Sequence, residues 1–138
     1  MDDNYWSSFS HVLSLNDLTE VTGKGSVTIW RWLNRGILPG HQIAGSWIVY
    51  REEIRAKLLD ADSAPLIPSI FLSTFPDRLD VPQLATLLGK TEQTAYNWLA
   101  ANEVKGHKVS SAWLVYKSEF EELLLKTSNQ APGYQPKR

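Results

Sequence analysis

The chain has 138 residues, 43% of them hydrophobic and 21% charged, with six tryptophans and no cysteine. That is enough apolar surface for one domain or two very small ones, and it excludes disulfides and thiolate metal sites. No run reaches the roughly 18 apolar residues of a membrane span, and the start Met1-Asp2-Asp3-Asn4 is acidic where a signal peptide is basic, so a cytoplasmic protein is expected. The net charge of −1 weighs against bulk affinity for nucleic acid, because phosphate is neutralised mainly by Lys and Arg.

In chain order, Asn16 can cap a short helix with Leu18 and Val21 three apart, and Gly23 and Gly25 break it. Ser26 is an N-cap for a second helix, Val27 to Arg35, with Ile29 and Leu33 on one face and Gly36 at its stop. Gln42 to Tyr50 alternates around Ala44-Gly45-Ser46 as a β-hairpin, and Arg51 to Leu59 follows as a third helix. The segment 60–70, small, polar and punctuated by Pro65 and Pro68, reads as a connector.

The order then recurs. A helix from Pro82 to Leu88, a turn at Gly89-Lys90, a helix from Thr91 to Ala101, a hairpin from Lys105 to Tyr116 and a helix from Lys117 to Leu125 are expected. Residues 5–59 align with 71–125 at a constant offset of 66 without a gap, and 17 of 55 positions are identical. These include Gly23 and Gly89, Trp32 and Trp98, Gly40 and Gly106, His41 and His107, and Tyr50 and Tyr116. The chain is therefore an internal duplication. The tail 126–138, with Pro132-Gly133 and Pro136, reads as disordered.

The runs Leu18-Thr19-Glu20-Val21-Thr22-Gly23, Val27-Thr28-Ile29-Trp30-Arg31-Trp32-Leu33, Gly36-Ile37-Leu38-Pro39 and Trp47-Ile48-Val49-Tyr50-Arg51-Glu52-Glu53-Ile54 resemble the excisionase-type branch of the MerR-like winged-helix DNA-binding family. The resemblance implies a mostly α fold with small β-hairpin wings, as two tandem winged helix-turn-helix units. It also implies a second helix in the major groove and a wing on the flanking backbone. Carried over by position, the DNA-contacting candidates in copy one are Lys24, Ser26, Val27, Trp30, Arg31 and Arg35. Those in copy two are Lys90, Thr91, Gln93, Tyr96, Asn97, Lys105 and Lys108.

Arg31 is the strongest of these, since its planar fork can bond guanine O6 and N7 together, discriminating by about 1–3 kcal/mol. Gln93 or Asn97 can read adenine, but copy two offers no Arg there and places Glu92 toward phosphate. Copy one carries six basic and four acidic residues (+2) and copy two five and seven (−2), so a division of labour is expected. Asn102 in place of Gly36, and Lys105 in place of Pro39, put the turn of copy two in question.

Trp32, Trp47, Trp98 and Trp113 read as shared core, and burial is the favoured reading of Trp30 and Tyr96 too. One histidine before each hairpin, without cysteine, reads as a turn or backbone-contact residue and not as a metal ligand. Gly23-Lys24-Gly25-Ser26 is a turn and not a phosphate loop, because Leu18 stands where the motif needs its first glycine. No nucleophile and base emerge, so no enzyme, cofactor or metal is expected.

The partner expected is double-stranded DNA, with the chain itself, a recombinase or a polymerase subunit as protein partners through copy two. The resemblance implies a bacterial or phage-infected cell, and its nucleoid, as the setting. Eleven connector residues reach about 36 Å, enough for half-sites about 34 Å apart. The competing expectation is a protein-binding adaptor, favoured by the neutral charge and the acidic second copy.

Overall fold

The computed structural model describes residues 3–59 and 65–136. The first half runs α1 (Asp3–Ser7), β1 (Val12–Leu13), α2 (Leu15–Thr22), α3 (Ser26–Asn34), β2 (His41–Ile43), β3 (Ser46–Tyr50) and α4 (Arg51–Leu59). The second runs α5 (Ser69–Leu72), β4 (Arg78–Leu79), α6 (Val81–Leu88), α7 (Glu92–Ala100), β5 (His107–Val109), β6 (Ala112–Tyr116) and α8 (Lys117–Thr127). The fold is thus mixed, with helices and two small antiparallel sheets, and the order of elements is the same in both halves. No helix among the described residues is long and apolar enough to cross a membrane.

Local chemistry sets the boundaries. Ser14, not Asn16, caps α2: its hydroxyl accepts from Asp17 N and the Asp17 carboxylate accepts from Ser14 N, a reciprocal capping box that places the helix start two residues earlier. Asp80 and Gln83 repeat this box at α6. Ser26 is the first helical residue of α3, and Gly25 holds the cap position without a side-chain bond. In the second half Thr91 is the cap, its hydroxyl accepting from Thr94 N.

The turn after α7 keeps its geometry despite Asn102. Asn102 adopts φ +59°, close to the +75° of Gly36, which asparagine tolerates better than most side chains. Glu103 N and Val104 N then donate to Trp98 O as Ile37 N and Leu38 N donate to Trp32 O.

Each expected hairpin is extended to three strands, in the orders β1-β3-β2 and β4-β6-β5. β1 and β4 are two residues long, too short for an alternating pattern to register in sequence, and the cation that opens the last helix of each half holds the segment just before them. Arg51 donates to Trp6 O and Phe9 O, and Lys117 to Leu72 O and Phe75 O. The aligned pair Arg51 and Lys117 thus performs one structural task twice. Gly40 and Gly106 are a second such pair: a Cβ on Gly106 would stand 2.6 Å from Leu99 Cδ2 and 3.1 Å from Trp113 Cε3, with Leu33 and Trp47 at 3.0 and 3.1 Å around Gly40. Trp32, Trp47, Trp98 and Trp113 are partly buried against the cores.

The halves do not hang apart on a connector. Ile43, Ile48 and Tyr50 of the first half lie in the same buried cluster as Phe71, Leu84, Leu87, Leu88 and Leu124 of the second. The Tyr50 hydroxyl donates to Leu87 O at 2.6 Å, and the His11 ring stacks on Phe71 at 4.2 Å. Glu52 accepts from Ile70 N and Phe71 N at the start of α5, so a helical turn begins inside the segment read as a connector. The separation of the halves is therefore set by packing and not by connector reach. Residues 60–64 of that segment lie outside the described residues.

The tail departs most from expectation. α8 continues to Thr127, and Ser128 and Asn129 are buried against the first half. Asn129 Nδ2 donates to Leu33 O and Leu38 O, both at 2.7 Å, while its Oδ1 accepts from Gly40 N at 3.0 Å. Gln130 Nε2 donates to Gly36 O and the Tyr134 hydroxyl to Asn34 O. Segments rich in Ser, Asn and Gln ordinarily remain solvated, but here their donors satisfy carbonyls that the end of α3 leaves open. Lys137 and Arg138 lie outside the described residues.

Candidate nucleic-acid interface

Within each half, two short helices joined by a tight turn present one apolar and one polar side. Ile29 and Leu33 of α3, and Ala95 and Leu99 of α7, are buried. Their spacing of four leaves positions 30 and 31, and 96 and 97, on the outer side. Lys24, Ser26, Val27, Trp30, Arg31 and Arg35 are all exposed, as are Lys90, Thr91, Gln93, Tyr96 and Asn97.

Burial of Trp30 and Tyr96 is not what the fold provides: they are 46% and 45% exposed, and Val27 is 75% exposed. An outward indole, an outward isopropyl group and a guanidinium on one short helix form a surface able to meet thymine methyls and a guanine edge together. On α7 the Gln93 amide donates to Asn97 Oδ1 at 2.9 Å, which holds the two amides side by side.

The wings differ. In the first half His41, Ile43, Ile48 and Tyr50 are each no more than 2% exposed, because the outer face of the sheet is pressed against the second half. Only the tip, Ala44 and Gly45, is exposed, with φ of +52° and +79°. It carries no cation.

The second wing is open: His107, Lys108 and Val109 are all exposed. Lys108 Nζ lies 5.7 Å from the Trp113 ring centre, and Lys105 Nζ is 2.9 Å from Glu119 Oε2. Hydrogen bonds from Lys105 and then His107 hold the Glu119 carboxyl below its usual value, and the same contact raises the Lys105 ammonium. Lys105 can therefore reach phosphate only by sharing or leaving Glu119, whereas no carboxylate among the described residues pairs with Lys108.

The two aligned histidines are strand residues and not turn residues. His41 Nδ1 donates to Leu124 O at 2.7 Å and Nε2 lies 2.8 Å from Glu53 Oε2, with both side chains fully buried. A carbonyl can only accept, so Nδ1 carries a proton and one further proton is shared between Nε2 and Oε2. Burial raises the Glu53 carboxyl, opposed by its hydrogen bond to His41. No group of three or more His, Cys, Asp or Glu among the described residues is arranged to hold a metal ion. The His41–Glu53 contact was not foreseen, since only the fold brings residues twelve apart into a pair across a strand and a helix.

No curated protein and no solved structure matches the chain. Residues 78–128, from β4 through the end of α8, match a family described as a helix-turn-helix domain, so the second half contains such a domain and DNA is the partner it supports.

Proposed function

We propose that the chain binds double-stranded DNA sequence-specifically as two tandem winged helix-turn-helix units. It would serve as a transcriptional regulator or as an excisionase-like accessory factor in recombination, of bacterial or phage type. The observation that carries this reading is the outward row Val27, Trp30 and Arg31 on α3, matched by Gln93, Tyr96 and Asn97 on α7. Both rows lie opposite a buried face, in a chain whose second half matches a helix-turn-helix family. A helix standing on its apolar face with polar and aromatic side chains outward suits the major groove.

The first wing has Gln42 where the second has Lys108 and no cation at its tip, which leaves α3 as the reading element of that unit, with Lys24 and Arg35 at flanking phosphates. The second unit keeps an open wing, and Lys108, Lys90 and Thr91 are its phosphate contacts. The test is fluorescence anisotropy of the full chain on labelled duplex across a salt series, for wild type, Arg31→Ala and Lys108→Ala. The proposal expects binding that weakens steeply with salt, with Lys108→Ala lowering the slope by about one. Arg31→Ala should cost about 1–3 kcal/mol on the preferred site and little on random duplex. Absence of duplex binding at low salt would refute the proposal and leave a protein-binding adaptor.

A further inference from the structure

The duplication built two copies of one surface, and only one of them is covered. In the first half the outer face of the sheet, His41, Ile43, Ile48 and Tyr50, is seated on the second half. At the offset of 66 stand His107, Val109, Leu114 and Tyr116, two identical and two conservative. The internal geometry of the face is also repeated. The His and Tyr ring centres are 5.6 Å apart in both copies, and each histidine contacts the aligned glutamate, at 2.8 Å in one and 2.7 Å in the other. Yet Val109 is 58% and Tyr116 41% exposed.

The seat is repeated as well. Phe71, Leu87, Gly89 and Leu124, which receive the first face, align with Tyr5, Val21, Gly23 and Leu58. Gly89 is packed so closely that a Cβ there would stand 2.5 Å from Val12 of the same sheet, a position the open sheet fills with Arg78, whereas a Cβ on Gly23 would meet nothing within 4 Å, and Leu58 is 43% exposed.

We propose that chains associate head to tail, the open face of one chain's second sheet seating on α2 and α4 of the next, so that the contact joining the halves within a chain recurs between chains. The occupant of the open face is a second copy of this chain. A contact that joins unlike surfaces leaves a free face and a free seat at the ends until a rotation closes it, so successive chains extend an array or a ring of more than two.

The seat between chains is the more polar one, with Thr19 and Thr22 where the internal seat has Ala85 and Leu88. Association is therefore weak, as for small transient interfaces. This inference does not rest on DNA binding and is tested without DNA.

The experiment is sedimentation equilibrium of the full chain, from about 1 to about 300 μM to cover weak association, as wild type, Tyr116→Asp, Val109→Asp and Leu58→Asp. All three sites are exposed, and circular dichroism and melting checks identify a misfolded variant, Val109→Asp standing in for Tyr116→Asp if needed. The expected result is a wild-type mass that rises past the dimer, single variants that remain monomers, and an equimolar mixture of Tyr116→Asp with Leu58→Asp that forms dimers and stops there. In that mixture one chain keeps the seat and the other keeps the face. A wild type that stays monomeric throughout overturns the proposal, and the open face would then belong to a different partner. So does a wild type that stops at two and is abolished by Tyr116→Asp but not Leu58→Asp, which would mean twofold pairing of the open sheets.

Discussion

Replacing Asn129 by alanine tests the tail as part of the fold. The side chain is 4% exposed and makes three contacts with the first half: Nδ2 to Leu33 O and to Leu38 O at 2.7 Å each, and Oδ1 from Gly40 N at 3.0 Å. A hydrogen bond contributes about 0.5–1.5 kcal/mol net, and a buried group left without a partner costs more. Three bonds lost in a buried site therefore come to about 3 kcal/mol, a large share of the roughly 5–15 kcal/mol of a typical domain. Urea unfolding followed by tryptophan fluorescence should show a lower midpoint with an unchanged slope. Asn129→Asp should be at least as damaging, since it keeps the acceptor for Gly40 but turns a charged oxygen toward two carbonyls. A loss below about 0.5 kcal/mol for the alanine variant, the range of ordinary surface substitutions, would refute the reasoning and return residues 128–134 to the status of a solvated tail.

Two further outcomes follow from the paired histidines. His41→Ala leaves the Glu53 carboxyl buried without a partner and Leu124 O unpaired, and should cost about 3–5 kcal/mol in urea unfolding. Glu53→Gln, whose amide can donate to Nε2, should cost only about 1 kcal/mol. Because burial raises Glu53, its contribution to stability is present below its ordinary value of 4.5 and is lost as pH rises through the folded value. Comparing the two pH profiles of stability should therefore show the glutamine variant losing less than wild type on that rise. Glu119 behaves oppositely: its contribution is present above 4.5 and is lost as pH falls through the lowered folded value. NMR titration of its carboxyl should give a midpoint below 4.5, and Lys105→Ala should move that midpoint back upward.

Much of the order of elements was legible because short-range chemistry carries it. Gly23, Gly36 and Gly89 all take positive φ where a helix must stop, and the gapless offset of 66 places each such signal twice. What failed to register lies at longer range. Asn129 is 96 residues from Leu33 and Tyr134 is 100 from Asn34, so nothing local distinguishes their polar run from a solvated tail. The carbonyls that require those donors belong to another part of the chain. Trp30 read as buried because aromatic residues usually are, and the face it occupies becomes visible only once Ile29 and Leu33 are fixed in the core. The thirteen candidate contacts are exposed, but exposure is a weaker property than contact with DNA, and their roles rest on the proposal.

The halves contrast in polarity as well as in net charge. In the cluster that Ile43, Ile48 and Tyr50 of the first half join, the second half supplies Ala85, Leu87, Leu88 and Leu123, and the aligned positions of the first half are Thr19, Val21, Thr22 and Lys57. The surface covered within the chain is the apolar one, and its counterpart in the first half is the more polar. The proposed DNA contacts divide between the halves as well. Arg31 stands in the half whose wing has Gln42 in place of Lys108 and no cation at its tip, so that half must discriminate through its helix. The half with the free wing has no Arg on α7, so it must hold the backbone. On that reading Arg31→Ala relaxes sequence preference while Lys108→Ala weakens binding to all duplexes about equally. A Lys108→Ala variant that instead changed the preferred base would show that the second half reads sequence through its wing.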